Sequence, residues 1–316
     1  MKILARAGTG DVAMVYLAEA RPGRYVEFVE SVQPPLPREK KWVLIISTLF
    51  GCPVDCEMCD AGGRYQGKLS AEEMMAQIDY LITSRFSDGR VPVEKFKIQF
   101  ARMGEPAFNS HVLEVLSDLP LKYRAPGLMP SISTIAPRGC DRFFARLDDI
   151  KNRHYSGGRF QLQFSVHSTD RSVRDRIIPT NKWDLSEIAR YGERFFLTGD
   201  RKVTLNFALA GHLPVSADRI ESVFDPRFFA IKITPVNPTL KVREKGIRNL
   251  IEHEDQADNL EWVRQLRANG YDVIVSIGEL EENKIGSNCG QLVKRFIDGK
   301  HPHQNEAYNY KIETFN

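Results

Sequence analysis

Trp42-Val43-Leu44-Ile45-Ile46-Ser47-Thr48-Leu49-Phe50-Gly51-Cys52-Pro53-Val54-Asp55-Cys56-Glu57-Met58-Cys59 sets an apolar run directly against a cysteine-rich loop. The run Val43 to Thr48 is strand-like, and Gly51 with Pro53 ends it, so three thiols spaced C-x3-C-x2-C stand on the loop that follows. Downstream, Ser70 to Phe86 reads as a helix: Ser70 and Glu73 form a capping box, and Met74, Ile78, Leu81 and Ile82 share one face. Further strands are expected at Phe96 to Ala101, Ser131 to Ile135, Phe160 to His167, Val203 to Leu209, Phe229 to Thr234 and Val273 to Ile277. Helical stretches lie between most of them, including His111 to Leu119, Leu185 to Phe196 and Gln256 to Ala268. Alternation of this kind gives parallel strands with right-handed helical crossovers, hence an α/β barrel or open barrel. Functional side chains then belong at the C-terminal ends of the strands, where the thiol loop already sits.

Upstream, Val12, Met14, Tyr16 and Ala18 share one face of an extended stretch, Pro22-Gly23 makes a turn, and Val26, Phe28 and Val32 share one face of the return. This reads as a β-hairpin, its first strand apolar on the other face too, through Val15 and Leu17. Pro34-Pro35-Leu36-Pro37 lacks the N–H groups of a central strand and works as a linker. The expected organisation is a hairpin and linker over 1–41, a catalytic domain over 42–300, and a polar, mobile tail over 301–316. The 316 residues, 42% apolar and 27% charged, are those of an ordinary globular chain. With no signal peptide and no 18-residue apolar run, a cytoplasmic protein without a membrane partner is expected. The net charge of +3 permits a polyanionic partner without demanding one. The basic groupings Arg38/Lys40/Lys41, Arg171/Arg174/Arg176 and Lys241/Arg243/Lys245/Arg248 read singly as solvated faces.

Five cysteines, three within eight positions, make no disulfide framework and favour metal or redox chemistry. Three thiolates on three irons of a [4Fe-4S] cluster leave the fourth iron open to a substrate with an amine and a carboxylate, of which S-adenosylmethionine (SAM) is one. The alternative is a structural zinc site, which wants four ligands at typical pair spacing. Cys140 and Cys289 are isolated and no histidine lies near the loop.

The motifs continue in order. Ser47-Thr48-Leu49-Phe50-Gly51-Cys52, Met103-Gly104-Glu105-Pro106 with Asn109, Ser133-Thr134, Ser165-Val166-His167, Arg174-Asp175, Pro179-Thr180-Asn181, Thr234-Pro235-Val236-Asn237-Pro238 and Cys289-Gly290-Gln291-Leu292 resemble the radical SAM superfamily. Within it they are similar to the RlmN/Cfr group of 23S ribosomal RNA adenine methyltransferases, from about residue 12 to residue 298. The resemblance implies a partial (β/α)6 barrel with a small N-terminal β-hairpin extension. It implies a [4Fe-4S] cluster on Cys52, Cys56 and Cys59 that splits SAM to a 5'-deoxyadenosyl radical, with electrons from a donor such as flavodoxin or ferredoxin. Gly104, Glu105, Ser133, Ser165, His167 and Asn237 would bind SAM, Glu105 taking its ammonium group. Cys289 would carry a methyl group to an RNA substrate, and its place at a helix N-terminus should favour the thiolate.

The pattern departs in three places. The group's second cysteine corresponds to Ile45, and its helical RNA domain has no counterpart in these residues. Met58 replaces the aromatic residue usual before the third cysteine, keeping an apolar side chain near the expected adenine. Glu30, in Val29-Glu30-Ser31-Val32, resembles a segment whose glutamate is a proposed proton acceptor, against the plainer reading of an exposed hairpin carboxylate. Two functions remain: an RlmN/Cfr-like methyltransferase, or a radical SAM enzyme abstracting hydrogen from a non-RNA substrate without methyl transfer. In either case Cys140 is the only other thiol.

Overall fold

The structure, a computed structural model, describes residues 1–32, 34, 36–251, 254–276, 285, 291–298 and 312–315. The strands are β1 (Lys2–Thr9), β2 (Ala13–Arg21), β3 (Arg24–Ser31), β4 (Lys41–Ile46), β5 (Leu49–Phe50), β6 (Gly67–Lys68), β7 (Lys95–Phe100), β8 (Leu128–Thr134), β9 (Gln161–Ser165), β10 (Val203–Leu209), β11 (Phe229–Pro235), β12 (Asp272–Val275) and β13 (Ile312–Thr314). Eleven of them form one sheet in the order β12-β11-β10-β9-β8-β7-β4-β3-β2-β1-β13. From β4 to β12 the pairs are parallel, and from β4 through β3, β2 and β1 to β13 they are antiparallel. The fold is therefore the expected α/β class.

Helices α1 (Ala71–Thr83), α2 (His111–Lys122), α3 (Asp141–His154), α4 (Arg171–Ile177), α5 (Leu185–Phe195), α6 (Ala217–Glu221), α7 (Leu240–Glu244), α8 (Glu254–Asp258) and α9 (Glu261–Ala268) supply the crossovers. The capping box before α1 forms: Ser70 Oγ accepts from Glu73 N at 3.1 Å and Glu73 Oε2 from Ser70 N at 2.8 Å. Two short helices replace the single one expected over 256–268, because Leu260 leaves helical conformation at φ −77°, ψ 121°.

The parallel strands carry an alternation that decides everything above them. In β7, Phe96, Ile98 and Phe100 are fully buried beneath the helices, while Lys97 and Gln99 point to the other face. Such a sheet has one face in the core and one free for chemistry.

The Pro22-Gly23 hairpin joins β2 to β3 as expected, with Arg21 opposite Arg24. It is not an appendage, however. β1, which the sequence reading omitted, precedes it, and β3 pairs with β4 so that the meander continues the main sheet. The 301–316 tail also differs in part, since Ile312–Thr314 pairs with β1 and Phe315 N donates to Leu4 O at 2.8 Å. The basic groupings are only partly solvated: Arg174 is buried, and Lys241 Nζ contacts Asp55 Oδ1 at 2.5 Å. No helix among the described residues is long and apolar enough to cross a membrane.

Candidate functional site

The thiol loop is held from below and from the side. Gln77, buried on α1, accepts from Ser47 N at 2.9 Å and donates to Ser47 O at 3.1 Å, while Asn109 Nδ2 donates to Thr48 O and Leu69 O at 2.8 Å each. Thr48 N and Leu49 N both donate to Met103 O, tying the segment before Cys52 to the segment before Glu105. Gly51 is needed at the bend: its φ is +71°, and a Cβ there would stand 2.3 Å from Arg64 O. On the far side Asp60 accepts from Leu240 N and Lys241 N at 2.7 and 3.1 Å, and Thr239 Oγ1 donates to Met58 O.

Cys52, Cys56 and Cys59 are half-buried, form no disulfide, and line one cavity of about 340 Å³. Burial pushes the Cys52 thiol up to about 12, with the Cys59 thiol adding to it. Burial and both neighbouring thiols push Cys56 well above the ordinary range. Both shifts favour the neutral thiol at Cys52 and Cys56. Among the described residues no three His, Cys, Asp or Glu side chains are arranged around a single ion.

Gly104, Glu105, Ser133, Ser165, His167 and Asn237 line the same cavity, as does Met58. Gly104 has φ +101° and lies so close to Leu49 that an added Cβ would meet its side chain at 2.5 Å. Glu105 is buried and accepts only from neutral donors: Ala107 N at 3.0 Å, Thr134 Oγ1 at 2.5 Å and Ile135 N at 2.9 Å. Burial raises its carboxyl to about 7 despite those three bonds. His167, at φ +62°, accepts from Ala208 N through Nδ1 at 3.0 Å, so its proton sits on Nε2. Burial, and then the Arg174 cation, lower it to about 4 and keep it neutral.

Other candidates lie elsewhere. Glu30 is 2% exposed rather than an exposed hairpin carboxylate, and it does not line the cavity. It accepts from Tyr16 Oη at 2.8 Å, Trp42 Nε1 at 3.1 Å and Arg85 Nη2 at 2.8 Å on the helix-covered face of the sheet. The pattern V-E-x-V occurs twice, and its other copy, Val26-Glu27-Phe28-Val29, begins three residues earlier. An odd offset on a strand reverses the face. Glu27 accordingly faces the cavity side, fully buried, paired with Arg102 at 2.6 Å and accepting from Leu292 N and Val293 N at 2.9 and 3.1 Å. Arg102 lines the cavity. Cys289 lies outside the described residues. The two amides held by Glu27, at the start of the helix Gln291–Ile297, are not free donors to a neighbouring thiolate. Ile45 packs in the apolar cluster that Val29 and Met103 share with Cys52 and Cys59. Cys140 stands between β8 and α3, packed against the main core, and does not line the cavity.

Sequence reading also missed the cavity's wall. Lys97 and Gln99 from β7, Ser131 from β8, Gln163 from β9, Asn206 from β10 and Lys232 from β11 all line it. Five adjacent strands thus present polar residues to one cavity. The signal lay in the alternation of K-F-K-I-Q-F, Q-L-Q-F-S and I-K-I-T, in which every second residue is polar.

No family model matches the chain. A Thermus thermophilus protein named probable dual-specificity RNA methyltransferase RlmN is 26% identical over 290 residues, covering 89% of this chain and 74% of the relative. A probable RNA methyltransferase of Ectopseudomonas mendocina is 28% identical over 278 residues, covering 86% and 71%. Among solved structures, a radical SAM methyltransferase from Sphaerobacter thermophilus superposes with a TM-score of 0.70 at 19% identity, covering 92% of this chain and 81% of that one. In sequence the chain resembles the RlmN-like group, and in fold it is similar to radical SAM enzymes.

Proposed function

We propose that this chain is a radical SAM methyltransferase of the RlmN-like kind, with a [4Fe-4S] cluster on Cys52, Cys56 and Cys59 and SAM against Gly104, Glu105, Ser133, Ser165, His167 and Asn237. One observation carries the reading. Residues far apart in sequence line a single cavity at the C-terminal ends of parallel strands, together with three cysteines that form no disulfide. The residues fit the groups. Glu105 is a buried carboxylate with neutral donors only, so an ammonium supplies the missing charge and holds it ionised. Gly104 leaves room where any side chain would collide with Leu49.

The chemistry a bound cluster supplies is one-electron reduction of SAM, the electron coming from a donor such as flavodoxin or ferredoxin. His167 keeps its proton on Nε2 and offers a neutral donor. Ser133, Ser165 and Asn237 offer further polar groups to carboxylate, ribose and adenine, and Met58 an apolar surface. Cys289 takes the methyl group in this reading, and the relatives' names favour RNA as acceptor. Glu30, bound into a knot of arginines across the sheet, has no part in it.

Ile45 favours a second reading. It occupies apolar packing beside the cluster cysteines and offers no thiol for releasing a covalent adduct, which suits hydrogen abstraction without methyl transfer. An anaerobic assay with reductant and SAM, counting 5'-deoxyadenosine and S-adenosylhomocysteine separately, distinguishes the two. Methyl transfer makes both products and puts a methyl on Cys289 that Cys289→Ala removes. An unmodified Cys289 with accumulating 5'-deoxyadenosine leaves only the second reading. Glu105→Ala should weaken SAM binding at least tenfold while the cluster remains, and unchanged affinity by calorimetry would refute the assigned SAM site.

A further inference from the structure

The cavity extends past the proposed SAM site to two lysines to which that reading gives no role. Lys97 lies four residues before Ala101 at the mouth of the cavity, about 13 Å down the strand at roughly 3.3 Å per residue. Lys232 comes from β11, four strands away in the sheet, and lines the same cavity. A flat sheet would hold them about 19 Å apart at roughly 4.8 Å per strand. Curled, it brings them within reach of each other's charge. Burial depresses Lys97 well below the usual ammonium range, and every charge that adds to this is another cation: Lys232, Lys95, Lys41 and Arg201. Lys232 is depressed by burial and by Lys41.

Among the described residues no carboxylate pairs with Lys97 or Lys232. Lys97 Nζ donates to the neutral amide of Gln161 at 2.7 Å, and Lys232 has no hydrogen-bond or ion-pair partner among the described residues. Beside Lys232 in register stands Asn206, whose Oδ1 is buried and accepts nothing. An unpaired ammonium and an orphaned amide oxygen facing one cavity are each costly without a ligand.

We propose that the floor of the cavity is a phosphate subsite, in which Lys97 and Lys232 hold a phosphate dianion and Asn206 accepts from a hydroxyl of the same ligand. Two ammoniums balance a phosphate carrying about −1.5 to −2 at pH 7, and a carboxylate would leave one uncompensated. The proposal rests on reading the cavity as the active site, and a phosphorylated small molecule would then lie with its phosphate on the floor and its reacting end near the thiols. That weights the second, non-RNA reading.

The test uses the anaerobically reconstituted protein with SAM present and titrates inorganic phosphate, adenosine 5'-monophosphate, adenosine and acetate by calorimetry. Phosphate should bind once per chain, acetate at least tenfold more weakly, and Lys97→Gln or Lys232→Gln should each weaken phosphate at least tenfold. Tighter binding of the monophosphate than of phosphate or adenosine identifies the phosphate as part of a small substrate, and parity with phosphate identifies a free-phosphate site. Binding unchanged in the double variant, or acetate equal to phosphate, overturns the subsite. Should the variants not fold, phosphate must still raise the thermal midpoint of the unsubstituted protein, and no rise overturns it equally. Loss of SAM binding with phosphate binding intact would strike the proposed function and leave the subsite standing.

Discussion

The two halves of the sheet use the same face for opposite purposes. From β7 to β11 the cavity side is lined by lysine, glutamine, serine and asparagine, and only the outer face is packed. From β4 to β1 both faces are packed: Tyr16, Ala18, Val26 and Phe28 lie under α1, while Ala5, Ala13, Val15, Leu17 and Val29 lie on the cavity side against Met103, Leu292 and Val293. The parallel half thus places chemistry, and the antiparallel half closes its flank with core. A buried charged pair, Glu27 with Arg102, marks the seam.

Replacing Cys52, Cys56 and Cys59 together by Ala should give the largest change. Cluster iron and sulfide should vanish while circular dichroism stays that of the parent, since each change removes one sulfur from a loop outside the strands and helices. A full cluster in the triple variant would end the metal assignment.

A direct measure of the contrast is Phe28→Ala against Gln163→Ala in urea. Phe28 is fully buried, so its loss should cost about 3–5 kcal/mol. Gln163 faces the cavity and should cost under about 1 kcal/mol. Similar losses would mean the parallel half is packed on both faces as well.

At the seam, Glu27→Gln leaves Arg102 buried beside a neutral amide and should cost about 3 kcal/mol or more. Glu30→Gln should cost less, about 1–3 kcal/mol, because Arg85 and Arg38 can turn toward water. The reverse order in denaturant melts would remove Glu27 from its place as the link between the two halves.

The mildest effect is one of pH. His167 is depressed to about 4 in the fold, below its ordinary 6.5, so the unfolded chain binds the proton more readily. Its contribution is whole above pH 6.5 and is lost as the pH falls toward 4, at most about 3 kcal/mol and less where cavity water reaches the ring. His167→Gln should flatten the thermal midpoint between pH 6.5 and 4. An unchanged slope would show that other groups set it.

Much of the candidate site was legible because it is written in local spacing. The C-x3-C-x2-C loop, Gly104-Glu105 and Ser165-Val166-His167 are short motifs at strand ends, and strand ends follow from periodicity. Glu30 was misjudged because a carboxylate on a hairpin looks exposed until the neighbouring elements are in place. Tyr16, Arg38 and Trp42 from the neighbouring strands and linker, with Arg85 from the helix beyond, make it a buried hub. Glu27 was passed over for the same reason, its partners being Arg102 and two amides more than 260 residues away.

From its residues alone this chain declares alternating strands and helices, a strand over Phe96 to Ala101, and a thiol loop at one end of the sheet. Each of these depends on neighbours within a few positions, where pleat and helical repeat dictate direction. Which carboxylate pairs with Arg102 on the cavity side, and that Lys97 and Lys232 share one cavity, were settled only by the tertiary fold. Those outcomes depend on segments far apart in sequence, and no local periodicity carries the distance between them.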